Sequence, residues 1–447
     1  MNRPKVLIVG AGFAGIRVAK GLAGADADVT VLDRRNHHLF QPLLYQIATA
    51  GLSPADIAVP IRSILRKQRN TEVLMEEVVG VDLGSRQVRT RDGNTLSYDT
   101  LVIATGSHHS YFGKDEWEKH APGLKTVEDA TEVRTRILTA FENAEKESDP
   151  VRRQAWMNFI LVGGGPTGVE MAGSIAELSF RALKSDFRNI DPKLARVILV
   201  EAGHRVLAAF PEKLALRAQR TLEKLGVEIK AGVRVTDVNG DGVKLGNGEN
   251  LPAKTIIWTA GVAASPAGHW LGTETDRVGR VMVGPDLTLP GHPEVFVIGD
   301  TAHVGEGLPG LAPVAMQEGT YVARSIRARL ERKNPPGPFR YFNKGNLATI
   351  GRTSAIADLK HIQLSGLIGW LAWATVHIFY LVNFRNRALV MLQWSFSYLT
   401  FARGARLIVT PHAAALDPSA PKERPLPATP SPTPSNQKPD TASARSN

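Results

Sequence analysis

The sequence contains no cysteine among its 447 residues. This absence excludes disulfide bonds, thiolate metal sites and every redox mechanism that uses a cysteine pair. Acidic residues are scarce in one region, because residues 332–411 hold ten Lys or Arg but a single acid, Asp358. That region supplies most of the formal net charge of +11. A basic region of this kind suits either nucleic acid or an anionic membrane surface.

The sequence also lacks a convincing signal peptide and a convincing membrane span. The apolar run at residues 6–9 is short and leads directly into a glycine turn, which favours a strand and a cytoplasmic origin. Residues 362–384 are free of charged side chains, but Gln363, His377 and Asn383 make this run a marginal span. A second uncharged run, residues 388–402, is too short to span comfortably.

Aromatic side chains and arginines mark these two runs. One set of aromatic rings recurs at spacings of three and four residues, which is typical of a helical stripe: Trp370, Trp373, His377, Tyr380 and Phe384. Arginines stand at the edges of the runs: Arg385, Arg387, Arg403 and Arg406. We therefore expect two helices that lie in one leaflet of an anionic membrane. A buried core helix or a dimer interface is the alternative. Nucleic acid is not expected, because the aromatics are embedded among aliphatic residues.

A glycine-rich turn of the form G-x-G-x-x-G occurs twice. Each copy follows a short apolar run and precedes a stretch of helical character; the glycines are Gly10, Gly12 and Gly15, then Gly163, Gly165 and Gly168. In such a turn the second glycine lets the backbone approach a pyrophosphate, and the following helix N-terminus faces the anion. A second apolar run then ends in an acid, Asp33 in the first copy and Glu201 in the second. A carboxylate there accepts hydrogen bonds from a ribose hydroxyl and repels a 2′-phosphate. The sequence therefore predicts two dinucleotide sites.

Other motifs carry less information alone. Two apolar runs end in small or acidic residues, one at Thr105 and Gly106 and the other at Gly299 and Asp300, where Asp300 would reach a ribityl hydroxyl or a phosphate. His37 and His38 are adjacent, so they point apart on a strand and make a poor metal pair; no metal site is expected. Residues 237–242 begin like a calcium loop, but position twelve is Gly248 and the flanks alternate like a hairpin, so calcium is rejected.

Taken together, these motifs resemble the two-dinucleotide-binding flavoproteins, and within them the type II NADH:quinone oxidoreductases. The resemblance covers residues 3–411 and includes residues 36–46, the segment Gly165-Pro166-Thr167-Gly168-Val169-Glu170, and Trp258-Thr259-Ala260-Gly261. It implies an α/β fold of two Rossmann-like domains, for FAD and for NADH, with a C-terminal membrane-associated helical segment. FAD would be held by Gly10, Gly12, Gly15, Asp33, Thr105, Gly106 and Asp300, and NADH by Gly163, Gly165, Gly168 and Glu201. Gly261 and Gly299 would also bind a cofactor.

The resemblance also implies roles for two further residues. Glu170 would lie between nicotinamide and flavin and handle protons, and Gln317 would end the quinone motif. The chain departs from that motif at Pro313, where many members carry a glutamine. The implied partners are a membrane quinone and the anionic membrane surface, with a homodimer on the cytoplasmic face of the inner membrane as a peripheral protein.

The expected organisation has five parts: residues 1–120 and 266–340 form the FAD domain, 121–265 the NADH domain, 341–411 the membrane anchor and 412–447 a disordered tail. Two other functions remain open from the residues alone. One is a different pyridine-nucleotide flavin oxidoreductase, and the other is a non-catalytic membrane flavoprotein that acts as a sensor. Sulfide:quinone and disulfide reductases require the cysteines that this chain lacks.

Overall fold

The computed structural model describes residues 3–360, 362–382, 384–400 and 403–408, without the side chains of residues 384, 385 and 396–400. The tail predicted to be disordered, residues 412–447, lies outside the described residues. The strands in chain order are β1 (Lys5–Val9), β2 (Asp28–Asp33), β3 (His37–Leu39), β4 (Ala58–Pro60), β5 (Thr71–Met75), β6 (Val78–Asp82), β7 (Gln87–Thr90), β8 (Thr95–Ser97), β9 (Thr100–Ile103), β10 (Ser107–His109), β11 (Asn158–Val162), β12 (Arg196–Glu201), β13 (Val227–Ala231), β14 (Val235–Asn239), β15 (Gly242–Leu245), β16 (Asn250–Pro252), β17 (Thr255–Trp258), β18 (Val262–Ala264), β19 (Val281–Val283), β20 (Thr288–Leu289), β21 (His292–Val297), β22 (Ala302–Val304), β23 (Asn346–Thr349), β24 (Ala355–Leu359) and β25 (Ile362–Ser365). The helices are α1 (Phe13–Gly21), α2 (Leu44–Ala48), α3 (Pro54–Ile57), α4 (Ile61–Leu65), α5 (Val127–Lys146), α6 (Pro150–Trp156), α7 (Pro166–Glu177), α8 (Glu212–Lys224), α9 (Ala267–Leu271), α10 (Ala312–Leu330), α11 (Gly366–Tyr380) and α12 (Phe384–Thr400).

Two parallel sheets form the framework, as the α/β prediction requires. The first has the order β20-β21-β9-β1-β2-β5, in which only β20 runs antiparallel to its neighbour. The second has the order β13-β12-β11-β17 and is entirely parallel. Buried parallel strands read as continuous apolar runs, and the chain supplies such a run for β1, β11 and β12.

Each glycine turn lies where a central strand meets a helix. The first connects β1 to α1 and the second connects β11 to α7. In a parallel sheet, ligands bind outside the carboxyl ends of the strands, at the point where the strand order reverses. Both turns occupy that edge of their sheets, because β1 and β11 each have a parallel neighbour on either side. The hairpin predicted for residues 233–238 and 242–245 is confirmed as the antiparallel pair of β14 and β15.

The C-terminal region contains the two expected helices, α11 and α12, but their bounds differ from those of the uncharged runs. Residues 362–384 do not form one helix, because the segment begins as β25, continues as α11 and leaves helical geometry at Leu381. The antiparallel sheet β23-β24-β25 supports α11, and the side chains of Trp373 and Leu381 are each only 1% exposed. No helix among the described residues is long and apolar enough to cross a membrane.

The aromatic stripe of α11 packs inward rather than outward. Trp373 stacks on His377, with 4.3 Å between ring centroids, and on Trp394 of α12, at 5.3 Å. The exposed face of α11 is aliphatic with one aromatic ring: Leu367, Ile368, Leu371 and Phe379. The spacing of the rings alone could not show whether the stripe faces lipid or protein. In the structure the stripe is continuous with the core of the molecule.

Candidate functional site

The first glycine turn has the geometry that a dinucleotide needs. Gly10 has φ +100°, and a Cβ there would lie 2.3 Å from the Ala104 carbonyl oxygen. A Cβ on Gly15 would lie 1.8 Å from the Gly10 oxygen, so these two glycines permit close backbone packing. Gly12 is different, because a Cβ there would meet nothing within 4 Å. The space in front of Gly12, at the N-terminus of α1, fits a pyrophosphate.

The second turn repeats this arrangement. Gly163 has φ +110°, with the Ala260 backbone nitrogen 2.7 Å from where a Cβ would stand. A Cβ on Gly168 would lie 1.9 Å from the Gly163 oxygen, whereas one on Gly165 would again meet nothing within 4 Å. The chain therefore presents two open backbone cradles, each at a helix N-terminus.

Each of the two predicted acids accepts a hydrogen bond from the backbone of its own glycine turn. The Ala11 N–H donates to Asp33 Oδ2 at 2.7 Å, and the Gly164 N–H donates to Glu201 Oε2 at 2.5 Å. The second oxygen of Glu201 accepts the Gly203 N–H at 2.6 Å. Burial raises the pKa of Asp33, and the N–H donors at Ala11 and Arg35 oppose that shift. Each carboxylate is thus oriented at the place where an adenosine ribose would lie in a Rossmann-type site.

A cavity of about 740 Å³ brings most of the predicted flavin residues together. It is lined by the first glycine turn and by residues from distant parts of the chain, including Gly10, Gly12, Asp33, Thr105, Gly106, Gly299, Asp300 and Glu170. The residues predicted to hold NADH do not line this cavity: Gly163, Gly165, Gly168 and Glu201. Gly15, Gly261 and Gln317 do not line it either. A cavity of this size lies within the range of cofactor sites.

A polar network that the sequence did not reveal fixes Asp300. Lys125 Nζ donates to Ser107 Oγ at 2.9 Å, and Ser107 Oγ donates to Asp300 Oδ2 at 2.7 Å. Burial lowers the pKa of Lys125, and the Asp300 carboxylate opposes that shift. Lys125 lies within the expected NADH domain and belongs to no recognisable motif, so only the fold brings it to the cavity.

Glu318 is a second residue that sequence reasoning missed. It follows Gln317 on α10, is 1% exposed, and accepts the Gly299 N–H on Oε2 at 2.5 Å. Burial raises the pKa of Glu318 to about 8, and the nearby Asp300 charge adds to the shift. The sequence offered one signal for Glu318, which is its position directly after Gln317. A buried carboxyl on a helix needs a hydrogen-bond partner.

Glu170 lies in the first turns of α7 and faces the large cavity. Its Oε1 accepts the Thr349 N–H at 3.3 Å, and burial raises the pKa of Glu170 to about 8. The side chain is therefore mainly neutral at pH 7 and has a proton to give. The structure thus brings Glu170, from the second sheet's helix, to the cavity of the first glycine turn.

Gln317 is placed differently from its expected role as a quinone contact. Its Nε2 donates to the Phe342 oxygen at 2.9 Å, and its Oε1 accepts the Phe342 N–H at 3.0 Å. Both ends of the amide are therefore occupied by backbone. The same helix reaches the cavity through Ala312 and Ala315 instead.

His38 is a structural residue in the described geometry. Its Nδ1 lies 2.9 Å from the Ala11 oxygen, and its ring packs edge-on against Phe13. Burial lowers the pKa of His38 to about 4, so the ring is neutral at physiological pH. Among the described residues, no three histidine, aspartate or glutamate side chains are placed to hold a metal ion.

Comparison with known proteins gives a consistent picture. Residues 4–319 match the pyridine nucleotide-disulphide oxidoreductase family, and residues 343–403 match the NDH2 C-terminal domain. The chain is 46% identical over 427 residues to the type II NADH:quinone oxidoreductase Ndh of Mycobacterium tuberculosis, covering 93% of this chain and 92% of that one. It is 32% identical to the type II NADH:quinone oxidoreductase of Staphylococcus haemolyticus, covering 82% and 92%. The fold is similar to that of NDH2 from Plasmodium falciparum in complex with NADH, with a TM-score of 0.83, 20% identity, and coverage of 92% and 100%.

Proposed function

The chain belongs to the type II NADH:quinone oxidoreductases, and we propose the role that individual residues have in this activity. The protein is an FAD-dependent enzyme that transfers two electrons from NADH to a membrane quinone without pumping protons. The observation that best supports these roles is the 740 Å³ cavity, which is lined by both the first glycine turn and Glu170. When bound, FAD supplies the redox chemistry by taking hydride from NADH and passing electrons to quinone.

In this proposal the first half-site holds FAD. Gly12 offers its open backbone to the pyrophosphate, and Asp33 accepts hydrogen bonds from the adenosine ribose. Asp300, held by Ser107 and Lys125, faces the ribityl chain. Thr105, Gly106 and Gly299 complete the wall of the cavity. Gly10 and Gly15 let the helix pack against the strand.

The overall function is tested by following the bound flavin and the substrates in purified protein. NADH should bleach the flavin absorbance, and a short-chain quinone should restore it with repeated turnover. A non-catalytic sensor would show the bleaching without turnover. Proteoliposomes that contain a pH-sensitive dye should show quinone reduction without a proton gradient. The sulfide:quinone oxidoreductase of Aquifex aeolicus shares the fold, with a TM-score of 0.69, but the absence of cysteine in this chain excludes its class of chemistry.

Glu201 is proposed to select NADH over NADPH. Replacing it with glutamine removes the negative charge and one of the two N–H acceptors that hold the turn. Charge-assisted hydrogen bonds contribute about 1.5–3 kcal/mol, so we expect the NADH/NADPH ratio of kcat/KM to fall about tenfold or more. Steady-state kinetics with both nucleotides give this ratio. Glu228→Gln, which breaks an ion pair with Arg196 on the same sheet, is the control and should leave it unchanged. An unaltered ratio in Glu201→Gln would remove this assignment.

Gln317 is proposed to act on the quinone side by holding the C-terminal segment against α10. Gln317→Ala loses two hydrogen bonds to Phe342, worth about 1–3 kcal/mol together. We expect reoxidation of the flavin by quinone to slow about tenfold, while its bleaching by NADH stays near the wild-type rate. Stopped-flow absorbance measures the two steps separately. Gln317→Glu, which turns a carboxylate oxygen toward the Phe342 carbonyl oxygen, should show a defect at least as large. A defect confined to the NADH step would contradict the proposal.

The membrane-facing surface is proposed to be the exposed side of α11 and α12. Leu371 and Phe379 of α11 and Met391 and Leu392 of α12 are each more than half exposed, although they are large and apolar. Arg387 lies over the Phe379 ring at 5.8 Å, and among the described residues neither it nor Arg17 nor Lys20 forms a salt bridge. Lys20 and Arg17 of α1 lie near Arg387, and the charges of both arginines add to the burial that lowers the pKa of Lys20. Anionic lipid would relieve this repulsion.

Two of the four arginines expected at the lipid edge pair with acidic side chains of the protein instead. Arg403 pairs with Glu177 at 3.4 Å, and its guanidinium donates to the Thr49 oxygen at 2.6 Å. Arg406 pairs with Asp186. The side chain of Arg385 is outside the described residues. Attachment to the cytoplasmic face of the inner membrane, a homodimeric state and the lack of nucleic-acid binding remain predictions.

A further inference from the structure

A second cavity, of about 100 Å³, lies beneath the C-terminal helices and beside the flavin cavity. One side is aromatic, formed by Trp370, Trp373 and Trp394, and the opposite side is polar and includes Thr349 and Glu177. Tyr45 is the one described residue that lines both cavities. Nothing in the NADH, FAD or quinone assignments uses this space.

The polar atoms around the second cavity are suited to hold water. At about 30 Å³ per molecule, its volume accommodates about three waters, provided that polar partners are present. Trp373 Nε1 is a buried donor that has no hydrogen-bond partner among the described residues. The Glu177–Arg403 ion pair stands at the cavity wall, with the two side chains only 11% and 13% exposed. Glu177 Oε1 also accepts the Arg352 N–H at 2.8 Å, so its position is fixed.

Tyr45 is held with its oxygen as an acceptor. Gln46 Nε2 donates to the Tyr45 hydroxyl at 2.8 Å, and Trp394 Nε1 donates to Gln46 Oε1 at 2.8 Å. Because Gln46 donates to the tyrosine oxygen, the hydroxyl hydrogen of Tyr45 is left for another acceptor. Burial, followed by the charge of nearby Glu170, raises the pKa of Tyr45 well above its ordinary range. The hydroxyl therefore stays neutral and is able to pass a proton by accepting one and donating another.

Glu170 lies at the other end of this arrangement. It lines the flavin cavity, and its Oε1 is bonded to the backbone of Thr349, which lines the second cavity. Tyr45 on α2 interacts electrostatically with Glu170 and with Glu177, which both lie on α7. At neutral pH Glu170 carries a proton, since burial raises its pKa to about 8.

The reaction requires a proton route of this kind. NADH and quinone give NAD⁺ and quinol, so the quinone gains two electrons and two protons. The hydride from NADH carries both electrons and one of the two protons, and the other must come from solvent. Bound flavin and substrates would exclude water from this site, so the second proton needs a path that does not pass through either substrate.

We propose that the second cavity admits this solvent proton and that the Tyr45 hydroxyl relays it to Glu170. The proposal rests on the NADH:quinone function stated above and extends it to the source of the second proton. In each turnover Glu170 gives one proton to the quinone side and regains one through Tyr45, while Glu177 and Arg403 keep the wall of the second cavity polar. Tyr45 is a positioning and relay residue, since it acts through Glu170.

The first test is Tyr45→Phe, which removes the hydroxyl and keeps the ring. We expect reoxidation of the flavin by quinone to slow at least tenfold and to show a larger solvent deuterium isotope effect. As the pH rises, the rate should begin to fall at a lower pH than it does in wild type. The bleaching of flavin by NADH should not change, because hydride transfer takes no proton from solvent. Tyr98→Phe is the matched control, since Tyr98 is also a buried tyrosine, with a hydroxyl that has no partner among the described residues.

A second test does not depend on turnover. In D₂O, the infrared band of the protonated Glu170 carboxyl, assigned by its loss in Glu170→Gln, should shift as the proton exchanges. This exchange should slow several-fold in Tyr45→Phe and also in Ser174→Leu, which fills part of the second cavity. Unchanged exchange and an unchanged isotope effect in Tyr45→Phe would overturn the relay. A raised KM for quinone with a normal isotope effect would make the cavity a substrate path and overturn it as well. If wild-type protein gave no NADH:quinone turnover, the function itself would fail, whereas the exchange measurement would still report on the relay.

Discussion

Replacing Gly10 with alanine is expected to give a protein that retains less than about a tenth of the wild-type FAD and has lost NADH oxidation. Gly10 has φ +100°, where an L-residue costs about 1–3 kcal/mol. The new Cβ would also lie 2.3 Å from the Ala104 oxygen, which belongs to the strand connection next to β1. That oxygen is backbone, so relief requires the two central strands of the first sheet to move apart. The ratio of flavin to protein absorbance, with thermal unfolding in the presence and absence of added FAD, measures the effect.

Gly12→Ala separates the loss of cofactor from damage to the fold. A Cβ at Gly12 meets no protein atom within 4 Å, and the backbone there has φ −69°, so alanine fits at this position in the protein without FAD. It does occupy the space that we assign to the pyrophosphate. We expect Gly12→Ala to unfold at the temperature of the wild-type apoprotein and still to bind FAD at least tenfold more weakly. Normal FAD affinity in this variant would mean that the pyrophosphate lies elsewhere.

The double substitution Ile368→Glu and Phe379→Glu is expected to release the protein from membranes. Both side chains are 66% exposed on the outer face of α11. Burial of an isoleucine or phenylalanine side chain is worth about 1.5–3 kcal/mol, so the pair contributes about 3–6 kcal/mol, or two to four orders of magnitude in partitioning. Flotation with vesicles that contain anionic lipid measures the bound fraction. Turnover with a soluble short-chain quinone should remain, because neither side chain lines a described cavity.

Matched variants make this membrane test specific. Val151→Glu and Leu194→Glu alter apolar side chains that are 77% and 65% exposed elsewhere on the surface, and both should float like wild type. Charge reversal at Arg17 and Lys20 should weaken binding to anionic vesicles more than to neutral ones, and the difference should shrink at high salt. Truncation after Lys360 is a poorer test, since it also removes the buried Trp373 and Leu381. Flotation of the double variant at the wild-type level would assign the outer face of α11 to a protein contact instead.

Much of the fold was readable from the sequence because its signals are local. Each glycine turn lies within a few residues of its strand and helix, and the requirement for φ near +100° or for open backbone is a property of the turn itself. The acids at the ends of β2 and β12 were predictable for the same reason, since the parallel pairing of β1 with β2 and of β11 with β12 follows from the connecting helix. The absence of cysteine decided the class of redox chemistry without any structure.

Tertiary structure decided what each side chain meets. Lys125 reaches Asp300 through Ser107, and Arg403 reaches Glu177, across separations of more than 170 residues that no local pattern encodes. The apolar spacing of α11 defined a stripe but not its direction, because a tryptophan stripe looks the same whether it packs on a core or on lipid. Burial then set the protonation of Glu170 and Glu318, since the loss of water around a carboxyl depends on every element that covers it. Sequence fixes a residue's chemistry and its nearest neighbours along the chain, whereas desolvation and long-range pairing exist only after the chain has folded.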